Sequence, residues 1–257
     1  MTVIWSATTG ATDGPHVVLV HGSLDRSAGL LKLSRRLDER HRVTRYDRRG
    51  YGRSAPSDGP FGIDAQVADL IDVIAEADHA VRPRVIVGHS YGGNVALALA
   101  ARRPDLVDGI VTYETPLSWK PWWSGSSTQA DPDVWRHDPE LAAEQFMRRL
   151  IGDDRWERLP PSTRSSRRAE GSAMVGELLD LRQHAPWEPH QITVPVLAMH
   201  GARGREHHRR AAETLAAEID GARSATLPGA SHPGPNTHPD ETAAVVTEFV
   251  DQLVRSG

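Results

Sequence analysis

The 257-residue sequence has no cysteine, which removes disulfides, thiolate nucleophiles and Cys-ligated zinc or iron–sulfur centres together. It has no marked excess of charge: 30 basic against 34 acidic residues, net −4, gives no general attraction to the phosphates of a nucleic acid. It also lacks a long apolar run. The longest, Val95 to Ala101, falls far short of the ~18 residues a membrane span needs, so no membrane partner is expected. Met1 to Trp5 shows no basic segment leading into an apolar one, which predicts a cytoplasmic protein without a signal peptide. Lysine is scarce (Lys32 and Lys120), arginine supplying nearly all positive charge, and no repeat is visible. With 39% hydrophobic and 25% charged residues the composition is ordinary for a globular chain, excluding disorder and small stapled scaffolds.

What is present is an alternation. Short β-rich runs, Val17–Val20, Val43–Tyr46, Val85–Val87, Gly109–Tyr113, Val194–Met199 and Ser224–Leu227, read as buried parallel strands. Between and after them Leu30–Leu37, Ile63–Ala77, Asn94–Arg103, Arg209–Ile219 and Asp240–Val254 carry helical spacing. This predicts an α/β fold with a mostly parallel sheet flanked by helices. The alternation breaks over residues 117–191, which hold six of the seven tryptophans and seven prolines but no convincing strand. Helical patches near Pro139–Leu150 and Ser162–Leu181 predict a helical cap inserted into a core of residues 1–116 and 192–257. Serine-rich Ser124–Ser127 and Ser162–Arg168 would suit a disordered linker, but tryptophan at this density argues against disorder throughout.

The chemistry is written in one stretch. Val85-Ile86-Val87 runs into Gly88-His89-Ser90-Tyr91-Gly92, and this Gly-x-Ser-x-Gly runs straight into a helix. A serine on a tight strand-to-helix turn is exposed above the sheet, and the helix start offers free N–H groups to a developing oxyanion. Ser90 is thus the candidate nucleophile. His21-Gly22-Ser23-Leu24 follows an earlier strand, and Asp47-Arg48-Arg49-Gly50-Tyr51-Gly52-Arg53-Ser54 follows the next. In this order and spacing the motifs resemble the α/β-hydrolase superfamily, over roughly residues 15–115 and 192–255, in its capped, serine-nucleophile form.

A serine nucleophile needs a base held by an acid, and the resemblance implies the order serine, acid, histidine. His232, in Leu227-Pro228-Gly229-Ala230-Ser231-His232, is the candidate base. Its rival His238 reads better as the start of the last helix. The family's usual acid would follow Val194–Met199, but Gly201-Ala202-Arg203-Gly204 offers none, and the nearest carboxylate is Glu206. Some relatives place the acid one strand earlier, where this chain has Glu114. A strand-end carboxylate is better fixed, so Glu114 is preferred, with Glu206 the alternative. The resemblance assigns the oxyanion hole to the backbone N–H groups of Tyr91 and Ser23, leaves His21 a structural role, and implies no cofactor. Asp25 and Arg26 are expected to be solvated. Adjacent His207 and His208, with His200 and Glu206, make poor metal ligands, and no metal is expected.

The expected function is a cofactor-independent serine hydrolase cleaving a small carboxylic ester through an acyl-enzyme. Lactone, thioester, carbon–carbon and perhydrolase chemistry on the same triad are alternatives, as is a non-catalytic ligand-binding protein on the same fold. The tryptophan-rich insertion suggests an apolar or aromatic small-molecule substrate.

Overall fold

The computed structural model describes residues 3–77, 80–124 and 132–256, and of Val134 the backbone alone. Of Ser124–Ser127 only Ser124 falls among them. Seven strands form one sheet: β1 (Ser6–Gly10), β2 (His16–Val20), β3 (Arg42–Tyr46), β4 (Arg84–His89), β5 (Gly109–Tyr113), β6 (Val196–Gly201) and β7 (Arg223–Leu227). Their order is β1-β3-β2-β4-β5-β6-β7, all parallel except β1, which runs antiparallel to β3. The six predicted runs therefore became six parallel strands, within a residue or two of the predicted bounds. Sequence reading missed β1 because Ser-Ala-Thr-Thr-Gly carries no apolar pattern: as an edge strand it buries little.

Strands β2, β4, β5 and β6 are covered on both faces, which is why they read as continuous apolar runs, whereas β7 at the sheet edge is largely exposed. Alternate residues divide between two cores. Val17, Leu19, Val85 and Val87 pack toward α1 (Leu31–Leu37) and α11 (Pro239–Ser256), which follows the short α10 (Gly234–Thr237). Val18, Val20 and Ile86 face α2 (Ile63–Glu76), α3 (Tyr91–Arg102) and α9 (Glu206–Glu218).

Between β5 and β6 the chain is helical: α4 (Pro132–His137), α5 (Pro139–Ile151), α6 (Asp153–Glu157), α7 (Pro161–Ala169) and α8 (Gly171–Gln183). The single helical patch expected over 162–181 is in fact α7 and α8. They part at Gly171, where a Cβ would come 2.0 Å from the Pro139 carbonyl oxygen, so α8 starts hard against the start of α5. Trp135 and Trp156 are buried within this layer, and its apolar residues form one cluster with the α2–α3 side of the sheet.

Ion pairs also fasten the insertion to the sheet. Arg48 meets Glu177 of α8 at 2.7 Å with both side chains fully buried, and the Tyr51 hydroxyl donates to the same carboxylate at 2.5 Å. Arg26 is not solvated as expected. It pairs with Glu170 at 2.6 Å and donates to Ser166. Asp25 lies over Gly29, and burial raises its carboxyl pKa. Among the described residues no helix is long and apolar enough to cross a membrane.

Candidate active site

The strand order reverses direction between β2 and β4: from β2 the chain passes to β3 on one side, and from β4 to β5 on the other. Loops leaving the carboxyl ends of two such strands diverge and open a crevice. Val20 of β2 lies opposite Gly88 of β4, so the loops carrying Ser23 and Ser90 start level. They all but touch, since a Cβ on Gly22 would come 2.9 Å from Ser90 Cβ.

Ser90 sits at φ 53°, ψ −125°, a conformation that an L-residue adopts only under strain. The glycines of the turn make it possible. A Cβ on Gly88 would meet the Gly92 carbonyl oxygen at 2.5 Å, and one on Gly92 would meet the Val20 oxygen at 2.3 Å. Only three non-glycine residues have positive φ among the described residues: Leu24, Ser90 and Glu114. All three lie on loops that close around this crevice. The Tyr91 N–H opens α3, where no preceding turn can accept it. Ser23 lines the same cavity, with its hydroxyl buried and unpartnered.

Glu114 follows β5 directly. It is fully buried, accepts from the Gly201 N–H at 3.1 Å, and brings Oε2 to 2.7 Å from His232 Nδ1. A carboxylate can only accept here, so Nδ1 carries the proton and Nε2 is left as the acceptor. Glu206 does not approach this pair; it is exposed and bound to Arg209. Gly204 explains the missing aspartate in physical terms. A Cβ there would lie 2.2 Å from Glu114 Oε1, so the carboxylate from β5 fills the space that a side chain after β6 would need.

The loop bearing His232 is held on four sides. Tyr113 donates its hydroxyl to the Ser231 carbonyl at 2.8 Å, and His89 Nε2 donates to the His232 carbonyl at 2.9 Å. Glu114 takes Nδ1, and His208 stacks on the imidazole at 4.8 Å between ring centroids. Burial, reinforced by His232, lowers the His89 pKa to about 3. The same two causes hold His208 well below the usual imidazole range. Both are therefore neutral neighbours. His21 is buried too, its Nδ1 donating to the Gly22 carbonyl and its Nε2 accepting from the Arg48 N–H, a structural part of the turn that carries Ser23. The rival His238 is at the start of α11, bonded to Thr237 and accepting from Thr242.

Sequence reading weighed His207 and His208 only as metal ligands. The signal for another role was present, because His208, Ala211, Ala212 and Leu215 follow the spacing of one helix face, the buried face of α9. The donor atoms of Glu114, His208 and His232 lie within 4.8 Å of one another, a spacing that could hold a cation. Glu114 Oε2 already accepts from His232 Nδ1, so a metal ion and that hydrogen bond would exclude each other.

Ser90, Tyr91, Ser23 and His232 line one cavity of about 210 Å³. The insertion contributes Trp123, Phe146, Arg149, Leu150 and Leu178 to its walls. Only Trp123 of the six tryptophans is on the wall. Trp187 instead packs edge-on against Trp119 and donates to Asn94 of α3.

A strained serine between strand and helix, beside a carboxylate–histidine pair at the switch point of a parallel sheet, defines a nucleophilic hydrolase architecture. The chain belongs to the alpha/beta hydrolase family, whose model matches residues 17–245. It is similar to the AB hydrolase superfamily protein YfhM of Bacillus subtilis, 33% identical over 114 residues, 43% of this chain and 39% of that one. Lipase LipV of Mycobacterium tuberculosis is 36% identical over 109 residues, 42% of this chain and 40% of the lipase. These matches cover about two fifths of the relatives' own length. In structure it resembles the enol-lactonase from Burkholderia xenovorans LB400, with a TM-score of 0.74, 24% identity and 96% of both chains covered.

Proposed function

We propose that this protein is a serine hydrolase of small carboxylic esters, acting through an acyl-enzyme on Ser90, His232 and Glu114. The observation that carries the reading is the 2.7 Å contact of Glu114 Oε2 with His232 Nδ1, in the cavity wall that also bears Ser90. His232 Nε2 takes the Ser90 hydroxyl proton as Oγ attacks the ester carbonyl. The N–H groups of Tyr91 and Ser23 hold the oxyanion, each donor lowering the barrier by ~3–4 kcal/mol. Collapse breaks the ester C–O bond, and His232 returns the proton to the departing alcohol. Water, deprotonated by the same nitrogen, then releases the acid and regenerates Ser90. Residues 117–191 act as the cap over this site, residues 1–116 and 192–257 as the core, and the cytoplasm is the compartment. A fluorophosphonate probe should label native protein at Ser90 and leave Ser90→Ala unlabelled, with p-nitrophenyl acetate or butyrate hydrolysis lost in parallel. Native protein that takes no label refutes the reading.

A further inference from the structure

The cavity holds a charge that the ester mechanism does not use. Arg149, near the end of α5, lines it together with Phe146 and Leu150, the i, i+3, i+4 face that α5 turns toward Ser90. Its Nε and Nη2 are buried without a hydrogen-bond partner, and no ion pair reaches its guanidinium among the described residues. This is not the rule for arginine in this molecule. Its neighbour Arg148 meets Glu144, Asp153 and Glu157, while Arg168 meets Glu144 and Arg164 meets Glu157. Arg42 and Arg45 each bury one unpartnered nitrogen, but each donates through another, Arg42 to the Ala77 carbonyl and Arg45 to the Ser27 hydroxyl.

The cavity also has arginines on its other wall. Arg203 and Arg205, from the β6–α9 loop, line it, and Arg205 donates to the Arg149 carbonyl at 3.3 Å. Among the described residues no carboxylate lines the cavity to balance them, and Glu114 behind its wall is turned to His232 and the Gly201 N–H. Burial draws the Arg149 pKa down, as expected for a charge without a counter-ion.

A half-buried guanidinium is costly to leave unpaired and is repaid when an anion completes it. Its planar fork matches a carboxylate, with two parallel N–H bonds. We propose that the preferred substrate is a small ester bearing a free carboxylate, which Arg149 binds with Arg203 and Arg205 alongside, while Trp123, Phe146 and Leu178 cover the carbon chain between carboxylate and ester. This rests on the serine-hydrolase reading and narrows it. A cavity of about 210 Å³ restricts the chain to a few carbons. The carboxylate could belong to the acyl part or to the alcohol part of the ester.

The test compares charged esters with their neutral amide isosteres. Monomethyl glutarate against methyl 5-amino-5-oxopentanoate probes the acyl side, and 3-acetoxypropanoate against its amide probes the alcohol side. Product acid is followed by pH-stat. The expected result is at least a tenfold higher kcat/KM for the carboxylate member of one pair. Arg149→Gln should abolish that preference by lowering kcat/KM of the carboxylate member to that of its amide, and Arg149→Lys should retain part of it. Butyrate should inhibit wild-type competitively where butyramide does not, a readout that needs no folded variant. Equal kcat/KM within both pairs, or an undiminished preference in Arg149→Gln, overturns the proposal. Fluorophosphonate labelling of Ser90 separates the two failures: labelled protein without charge preference sinks only this inference, whereas unlabelled protein sinks the hydrolase reading beneath it.

Discussion

Replacing Glu114 with glutamine exchanges one carboxylate oxygen for an amide nitrogen, and the structure dictates which one. Oε1 accepts the buried Gly201 N–H at 3.1 Å, and an N–H left without an acceptor in that position is costly. The glutamine oxygen will therefore take that place, turning its NH2 toward His232 Nδ1, 2.7 Å away in the native protein. An NH2 group only donates, so Nδ1 must become the acceptor and the imidazole proton moves to Nε2. In the proposed mechanism the ring then presents a proton where Ser90 needs a lone pair, and the charge that would stabilise the imidazolium is gone. A triad whose histidine is locked in the wrong tautomer loses about 10,000-fold in rate. With His208 stacked behind the ring to limit reorientation, kcat for Glu114→Gln should fall about 1000- to 10,000-fold, or ~4–5.5 kcal/mol of barrier. The assay is kcat at saturating p-nitrophenyl butyrate, or whichever ester proves a substrate, with thermal melting to verify folding. Glu206→Gln is the control and should stay within twofold, since Glu206 touches only Arg209 at the surface. A folded Glu114→Gln enzyme within tenfold of wild type refutes the argument, and a collapse of Glu206→Gln would transfer the role.

Three further outcomes follow from contacts near the site. Gly204→Ala places a Cβ 2.2 Å from Glu114 Oε1, so the carboxylate must move; a displacement of ~1 Å in a catalytic group should lower kcat about 100-fold, measured beside an unchanged circular dichroism spectrum. Glu177→Ala leaves Arg48 buried without its partner and should cost ~3–5 kcal/mol in urea denaturation; if Arg48→Met/Glu177→Leu is no more stable than Glu177→Ala alone, the unpaired charge is not the cause. His89 is neutral in the fold, with its pKa lowered to about 3 from 6.5, so the unfolded chain binds more protons between those values. Stability should be intact above pH 6.5 and fall as pH drops toward 3, by roughly 3 kcal/mol at pH 4.5 from this group alone. Melting curves of wild type and His89→Gln across pH 4.5–7.5 check this: equal slopes would remove His89 as the cause.

Much of this molecule could be read along the chain because the relevant physics is local. A buried parallel strand must be apolar on both faces, so the central strands β2, β4, β5 and β6 were visible as runs. A strained strand-to-helix turn needs glycine where backbones nearly touch, so Ser90 announced itself through Gly88 and Gly92. β1 was not legible, because an edge strand need not be apolar. Nor was the α7–α8 break, which comes from the crossing of α5 at Gly171.

The sequence by itself determined the architecture, the strained serine and the histidine loop, each of which a short stretch encodes through its own sterics and burial pattern. Two matters were left to the tertiary structure. It brought Glu114 rather than Glu206 to His232, because β5 and β6 are neighbours and the carboxylate leaving one fills the space beside Gly204 at the end of the other. It also set Arg149, Arg203 and Arg205 around one cavity, though α5 and the β6–α9 loop are some fifty residues apart in the chain. Sequence records that an arginine is charged. Whether a carboxylate lies within its reach depends on how distant segments pack, and among the described residues none lines this cavity.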